Sequence, residues 1–216
     1  MRHLVPAIAV AAAIASPAHS SDEGFEVWLN PSISTDLDAD TAVELETAQR
    51  LRSADDGRVD TYFFRLWLKQ DLTDAFTLAG AVERRINNGG RDETRTMQQL
   101  SGRHGVLRTR LRFEQRFVDG ADRRGLRLRP RVGVSFPLDE AGRWSAGANA
   151  ELFWTLRGTR SGGDDGITGL RTQIGLGYEV SDRVELSLTY LRQQDFEPGG
   201  PDKVGHAPLI GLEYSF

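Results

Sequence analysis

Cysteine is absent from this chain of 216 residues, and lysine is nearly so. Without cysteine the protein can form no disulfide and no thiolate metal site, and it has no thiol nucleophile. Lys69 and Lys203 are the only lysines, so the other 25 of the 27 basic residues are arginine. Helical periodicity of useful length is also missing. No segment beyond the N-terminus could form a transmembrane helix of about 20 apolar residues. A membrane is not thereby excluded, because a barrel strand needs only about 9–11 residues with every second one apolar.

The N-terminus has the composition of an export signal. Arg2 and His3 supply a short positive region, residues 4–14 are apolar and rich in alanine, and small residues follow. This order is typical of a secretory signal peptide. We therefore expect residues 1–20 to be a cleaved signal peptide and residues 21–216 to be the exported protein.

Apolar and polar residues alternate through almost all of the remaining chain, as in FEVWL, YFFRLWL and RLRFEQRF. A period of two indicates strands with two different faces. Tight turns such as DLTD and SDR alternate with longer segments rich in Gly, Asp and Arg, such as TRSGGDDG. Short turns at one end and longer polar loops at the other are typical of outer-membrane barrels. The pattern predicts an all-β fold over residues 21–216, an up-and-down antiparallel transmembrane β-barrel of 10 to 12 strands.

The strand count raises a difficulty. Eleven candidate strands are found if the weakly alternating ETRTMQQLSGRH is included. Bacterial single-chain barrels have even numbers of strands. We therefore expect either that the first run, near Trp28, is not a full strand, or that one run has been merged or missed.

Alternation alone does not separate a membrane barrel from a soluble one, because the apolar face could point inward. Three features favour an outward apolar face. The opposite face is densely charged, the chain ends on an aromatic residue, and aromatic residues recur near predicted strand ends. Such aromatic residues suit the girdles at the two membrane interfaces. They are Tyr62, Phe76, Phe117, Phe136, Trp144, Trp154, Tyr178 and Tyr190.

Arginine is concentrated between residues 103 and 131, where ten arginines stand against three acidic residues. Seven of them form a predicted arginine wall of the lumen: Arg108, Arg110, Arg112, Arg116, Arg127, Arg129 and Arg131. Arginine rings favour anions, so one interpretation is a narrow, passive, porin-like channel that prefers anions. The other is a lumen closed by ion pairs, because a small barrel has little free interior. The candidate carboxylates are Glu83, Glu151, Glu179, Glu185 and Glu213. We expect the closed lumen, with a structural or interaction role.

The last run and several short motifs carry two resemblances. Ile210, Leu212, Tyr214 and Phe216 share one parity, and this ending resembles the assembly signal of proteobacterial outer-membrane proteins. That likeness implies handling by the barrel-assembly machinery. Trp28 with VELETAQRLR, RTRLRFEQRF, GVSFPLD and LEYSF resembles an uncharacterised outer-membrane family, domain of unknown function two-four-nine-zero. This second resemblance spans essentially the whole exported chain. It implies a barrel in the outer membrane of a Gram-negative bacterium and supplies no catalytic residues.

Catalytic groups are scarce. Outside the signal peptide the histidines are His104 and His206, and a lipid hydrolase would need a serine activated by such a base. Ala207 and Pro208, which follow His206, carry no hydroxyl. We expect no enzyme activity, with an outer-membrane lipid hydrolase as the remaining alternative, and no cofactor or metal. The expected partners are outer-membrane lipid, lipopolysaccharide and the assembly machinery. Nucleic acid is not expected, because the basic run alternates with apolar residues and the net charge is −4. The oligomeric state is left open.

Overall fold

The computed structural model describes residues 22–52 and 60–216. The predicted signal peptide lies outside these residues. No helix long and apolar enough to cross a membrane occurs in the described part of the chain. The strands in chain order are β1 (Asp22–Asp36), β2 (Thr41–Arg52), β3 (Thr61–Thr73), β4 (Phe76–Asn87), β5 (Glu93–His104), β6 (Leu107–Val118), β7 (Gly125–Pro137), β8 (Trp144–Arg157), β9 (Gly166–Ser181), β10 (Val184–Asp195) and β11 (Lys203–Ser215).

The strands close into one barrel. Each strand pairs in antiparallel register with the next strand of the chain. Strands β1 and β11 complete the ring in parallel, with Asp22 opposite Lys203 and Ser34 opposite Ser215. The predicted all-β barrel of 10 to 12 strands is confirmed. The pairing of β1 with β11 is parallel, so the sheet is not the wholly antiparallel one that the sequence predicted.

The odd number of strands corrects the expectation of an even count. The first run is the full strand β1, and the weakly alternating run is strand β5, so no strand was merged or missed. The alternation in β5 is weak because Thr94, Thr96 and Gln98 occupy its outward parity, opposite inward residues such as Arg95 and Met97. When the number of up-and-down strands is odd, the first and last run in the same direction. Their pairing must then be parallel.

The two ends of the barrel differ, as the sequence predicted. Connections of two to six residues lie at what we call the turn end, and connections of five to eight residues lie at the loop end. At the turn end, Gly105 begins the two-residue turn between β5 and β6 with φ of 57°. Glycine suits this site because tight hairpin turns require positive φ. Strand β1 begins at the loop end and β11 finishes at the turn end, so the described chain starts and stops at opposite ends of the barrel.

Large apolar side chains cover the outside of the barrel. Leu66, Leu111, Val132, Leu176 and Leu188, which come from five different strands, are all exposed. Aromatic residues lie near both ends of this surface. Phe76, Phe136, Trp144, Tyr178 and Phe216 are at the turn end, and Tyr62, Phe117 and Trp154 are at the loop end. The inside is mostly charged, so the two faces of the sheet have opposite chemical character.

Candidate functional site: an arginine-lined lumen

The predicted arginine wall lies on the neighbouring strands β6 and β7. Arg112 stands opposite Arg129, and Arg110 stands opposite Arg131 in their antiparallel register. Arg112 and Arg129 are buried inside the barrel, whereas Leu111 between the β6 arginines is exposed on the outside. Of the other wall residues, Arg116 and Arg127 lie toward the loop end. Arg108 lies near the turn end, where its guanidinium donates hydrogen bonds to the backbone carbonyls of Gly105 and Leu107.

A first ion-pair network joins strands β2 to β5. Its centre is Glu83, whose side chain is fully buried and which pairs with Arg65, with Arg85 at 3.0 Å and with Arg95 at 3.7 Å. Arg65 also reaches Glu46 on β2, with Nη1 2.6 Å from the carboxylate. Charge-assisted hydrogen bonds of this length are about twice as strong as neutral ones. The network therefore braces four neighbouring strands.

Glu93 extends these contacts to strand β6. It is buried, and its carboxylate lies 2.7 Å from Nη2 of Arg95 and 2.6 Å from Nε of Arg116. One member of the arginine wall, Arg116, is thus neutralised by an acid that the sequence interpretation had not included among the candidate partners.

A second network joins strands β6 to β9. Glu151 is 1% exposed and pairs with Arg110, with Arg129 at 2.7 Å and with Arg171 at 3.8 Å. Arg129 also donates to Glu114, with Nη1 2.6 Å from Oε1. Three guanidinium groups therefore share two carboxylates, and the network keeps an excess positive charge.

Several inward arginines have no carboxylate within ion-pair distance among the described residues. They are Arg50, Arg112, Arg127 and Arg131. Arg112 donates from Nε to the side-chain oxygen of Gln99 at 2.8 Å. The Nε atoms of Arg50 and Arg127 are buried with no hydrogen-bond partner. Burying a charge without a partner costs free energy, so negative charge in the lumen would stabilise these arginines.

Aromatic rings inside the barrel make cation–π contacts with several of the inward arginines. The guanidinium carbon of Arg50 lies 3.8 Å from the ring centroid of Trp28, and that of Arg171 lies 5.1 Å from the same ring. Phe153 has Arg129 at 4.7 Å and Arg171 at 5.1 Å. Cations over aromatic faces are attracted by the ring quadrupole. These inward aromatic residues were not predicted. One sequence signal could have indicated their inward position: they share the parity of the charged residues on their strands.

The free space of the lumen includes two adjoining chambers. The loop-side chamber has a volume of about 530 Å³, and the turn-side chamber has a volume of about 390 Å³. Trp28, Arg50, Arg85, Arg129 and Arg171 line both chambers and so stand between them. We call these five residues the lumen belt.

The lumen is asymmetric in cross-section. Opposite the arginine wall, the inner faces of β1, β10 and β11 carry a buried apolar cluster of Trp28, Leu191 and Ala207, against which Leu209 packs. Toward the turn end this face continues with small residues such as Gly211. Small and neutral side chains leave room, so the chambers lie between this face and the arginine wall.

Carboxylates collect at the turn end. Glu185 is the register partner of both Glu179 on β9 and Glu213 on β11. Pairing of these three with arginines was among the expectations, and it is wrong, because the described residues hold no arginine within ion-pair distance of any of them. They lie beyond the arginine wall, nearer the mouth. Of the candidate acids, Glu83 and Glu151 do pair with arginines.

At the loop end, polar contacts tie neighbouring loops together. Asp122 accepts hydrogen bonds from the backbone N of Ser161 at 2.8 Å and from its Oγ at 2.7 Å. These bonds hold the pKa of Asp122 below its usual range. Arg123 donates from Nε to the carbonyl of Gly158 at 3.0 Å. The β6–β7 and β8–β9 loops are thereby joined beside the mouth of the loop-side chamber.

Among the described residues, the side-chain contacts of His104 and His206 are with aromatic residues. His206 Nδ1 is 2.6 Å from the hydroxyl of Tyr190, on the outward parity of β10 and β11. His104 packs edge-on against Phe76, with ring centroids 5.1 Å apart. The described residues also contain no group of three or more His, Cys, Asp or Glu placed to hold a metal ion.

The predicted assembly signal forms the outer face of β11. Ile210, Leu212 and Phe216 are exposed and Tyr214 is half-buried, with its ring 4.9 Å from that of Phe216. The backbone N of Phe216 donates to the carbonyl of Ser34 at 3.1 Å. The terminal residue is therefore fixed to the parallel partner strand.

Comparison with known proteins gives two findings. Residues 25–204 match the family described as "Protein of unknown function (DUF2490)". An uncharacterized protein of Methylorubrum extorquens is 27% identical over 206 residues, which cover 89% of this chain and 90% of that protein. Both matches cover nearly the whole barrel, in agreement with the resemblance seen in the sequence.

Proposed function

This chain belongs to the DUF2490 family, whose function is unknown, and we propose its role from the barrel itself. The protein is an outer-membrane β-barrel whose lumen is braced and closed by arginine–carboxylate networks, and it serves a structural or interaction role. The observation that carries this proposal is the reversal of faces, with large apolar side chains outside and buried ion pairs inside.

The outer surface supports a lipid environment. Monomeric soluble proteins rarely expose apolar patches larger than a few hundred Å². Here exposed Leu, Ile, Val, Phe and Trp side chains occur on every strand. A one-residue slip in register would place arginines of β6 or β7 in hydrocarbon, at about 2–4 kcal/mol each near the midplane. A lipid environment would therefore fix which face of each strand points outward.

The partners follow from this location. The aromatic residues at both ends suit the two membrane interfaces, and the exposed ending on Phe216 suits recognition by the barrel-assembly machinery. Arg124, whose guanidinium lies over Phe117 at the loop end, is placed to meet lipopolysaccharide phosphates.

Fractionation tests the location. We expect the protein to sediment with outer membranes and to migrate faster in detergent gels before heating than after. Recovery as a soluble periplasmic protein without detergent would contradict the proposal.

A narrow, passive, anion-preferring channel is the second candidate, and one observation favours it. The two chambers share the lumen belt, so a movement of those five side chains would join them. Planar-bilayer recordings under a potassium chloride gradient test this function. A channel should show chloride preference that falls in the Arg50→Gln, Arg131→Gln double variant, since neither arginine braces a carboxylate. Absence of conductance above background would reject the channel and leave the closed barrel.

A further inference from the structure

The loop-side chamber has the form of a ligand site. Its volume of about 530 Å³ falls in the range of 300–1,000 Å³ that small-molecule pockets occupy. Residues of the β8–β9 loop, including Arg160 and Asp164, line its outer part, and the lumen belt closes its inner part. A ligand would enter from the loop end and stop at the belt.

The charge of this chamber is unbalanced. Arg50 on β2 and Arg127 on β7 both line it, and five strand positions separate them around the ring, so they face the chamber from different sides. Neither has a hydrogen bond or ion pair within the described residues, and the Nε atom of each is buried. Buried guanidinium groups of this kind require a counter-charge, and no carboxylate of the described residues lies within ion-pair distance of either one.

Both guanidinium groups also lie near aromatic rings. Arg50 lies over Trp28, and Arg127 lies 5.4 Å from the ring centroid of Phe153. A cation–π contact uses no N–H donor, so the N–H groups of both guanidinium groups are left for an acceptor. A guanidinium group can bind an oxyanion through two parallel hydrogen bonds. Leu191 and Ala207 also line the chamber, but they pack with Trp28 in a buried cluster and are each only 1% exposed.

We propose that the loop-side chamber binds a small phosphate-bearing organic molecule. Arg50 and Arg127 bind the phosphate oxygens, and the rest of the ligand lies in the chamber. The phosphate can belong to a soluble monoester or to a lipid A headgroup, which presents the same chemistry at the loop end. This site goes beyond the structural role proposed above and does not need an open lumen; only a lipid A ligand rests on the outer-membrane location proposed above.

Calorimetry on the full chain in a neutral detergent tests the site, with phenyl phosphate as the soluble probe and phenol as its uncharged counterpart. A second arm uses mixed micelles of lipid A, with dephosphorylated lipid A as the control. We expect the phosphate-bearing probe of at least one arm to bind, and its uncharged counterpart to bind at least tenfold more weakly. Each of Arg50→Gln and Arg127→Gln should weaken binding about 10- to 100-fold, the value of one charge-assisted hydrogen bond. Arg143→Gln, which removes an exposed arginine at the turn end, is the matched control and should bind normally.

The outcomes distinguish a soluble ligand from a lipid headgroup, and both of these from the absence of a site. Binding of phenyl phosphate that depends on both arginines identifies a soluble ligand, and the same dependence with lipid A alone identifies a headgroup. No binding of either probe, or equal binding by all variants, overturns the proposal. Because Arg50 has no ion pair to lose, Arg50→Gln should not lower the unfolding midpoint, so weaker binding by this variant cannot be ascribed to misfolding. An absence of channel conductance would leave this inference untouched.

Discussion

Glu151→Gln is the sharpest test of the idea that ion pairs brace the lumen. Glu151 is buried and is the one carboxylate within reach of Arg110 among the described residues. The change keeps the size of the side chain and removes its charge. Arg110 then has no counter-charge, Arg171 loses its ion pair at 3.8 Å, and Arg129 keeps only Glu114.

The expected magnitude follows from the cost of an unpaired buried charge. Removing one partner of a buried ion pair costs about 3–5 kcal/mol. That is a large part of the roughly 5–15 kcal/mol that stabilises a typical folded domain. We therefore expect the free energy of unfolding of Glu151→Gln to fall by about 3–5 kcal/mol. It can be measured by guanidinium unfolding in lipid vesicles, followed by tryptophan fluorescence.

Two further variants make the measurement specific. Glu140→Gln removes an exposed carboxylate from the β7–β8 turn and should change stability by less than about 0.5 kcal/mol. The double variant Glu151→Gln, Arg110→Gln removes the stranded cation as well, so it should be less destabilised than the sum of the single changes. A loss for Glu151→Gln no greater than that for Glu140→Gln would refute the bracing argument.

Three other predictions concern the termini and the loops. Phe216→Asp should impair membrane assembly more than Ser215→Asp, because Phe216 is on the outer parity and 69% exposed, and equal assembly would contradict the assigned faces. Cysteines at Ser34 and Ser215, whose Oγ atoms are 3.1 Å apart, should form a disulfide in this cysteine-free chain, and failure to crosslink under oxidation would argue against the parallel closure. The pKa of Asp122 is lowered, so its contribution to loop stability is present above its unfolded pKa of about 3.9 and is lost as the pH falls through the lower folded value. Ser161→Ala keeps the backbone N–H bond to Asp122 and removes only the hydroxyl bond, so NMR titration should give a partly restored, higher pKa for Asp122. An unchanged pKa would show that the hydroxyl bond does not contribute.

The sequence predicted much of the barrel because a strand with two different environments must alternate. The parity of Leu111 and Arg112 alone separates the outside from the inside, and no knowledge of distant contacts is needed. The strand count was harder, since β5 exposes threonine and glutamine where other strands expose leucine. The parallel pair depends on the total number of strands, which is a property of the whole chain rather than of any one run.

The interior was less predictable because its contacts depend on shear between strands. Glu151 on β8 meets arginines from β6, β7 and β9, and no local spacing in the sequence indicates which residues reach the same level. Trp28 and Phe153 are aromatic, yet they share the parity of the inward charges. Their contacts with Arg50 and Arg171 show that an aromatic ring can stand inside a polar lumen as a partner for cations.

The distribution of charge along the lumen bears on whether it passes anions or holds them. Of the four inward arginines without a carboxylate partner among the described residues, Arg127 lines the loop-side chamber, Arg50 lines both chambers, and Arg112 and Arg131 line the turn-side chamber. Glu179, Glu185 and Glu213 stand in cross-strand register near the turn end. An anion drawn in from the loop end meets arginines in both chambers and then like charge at the turn end, which repels it and opposes its exit. A conducting anion pathway needs binding that is weak enough to release the ion on the far side. The observed order of charges therefore favours retention of an anion in the lumen over its passage, which supports the closed barrel over the channel as the proposed function.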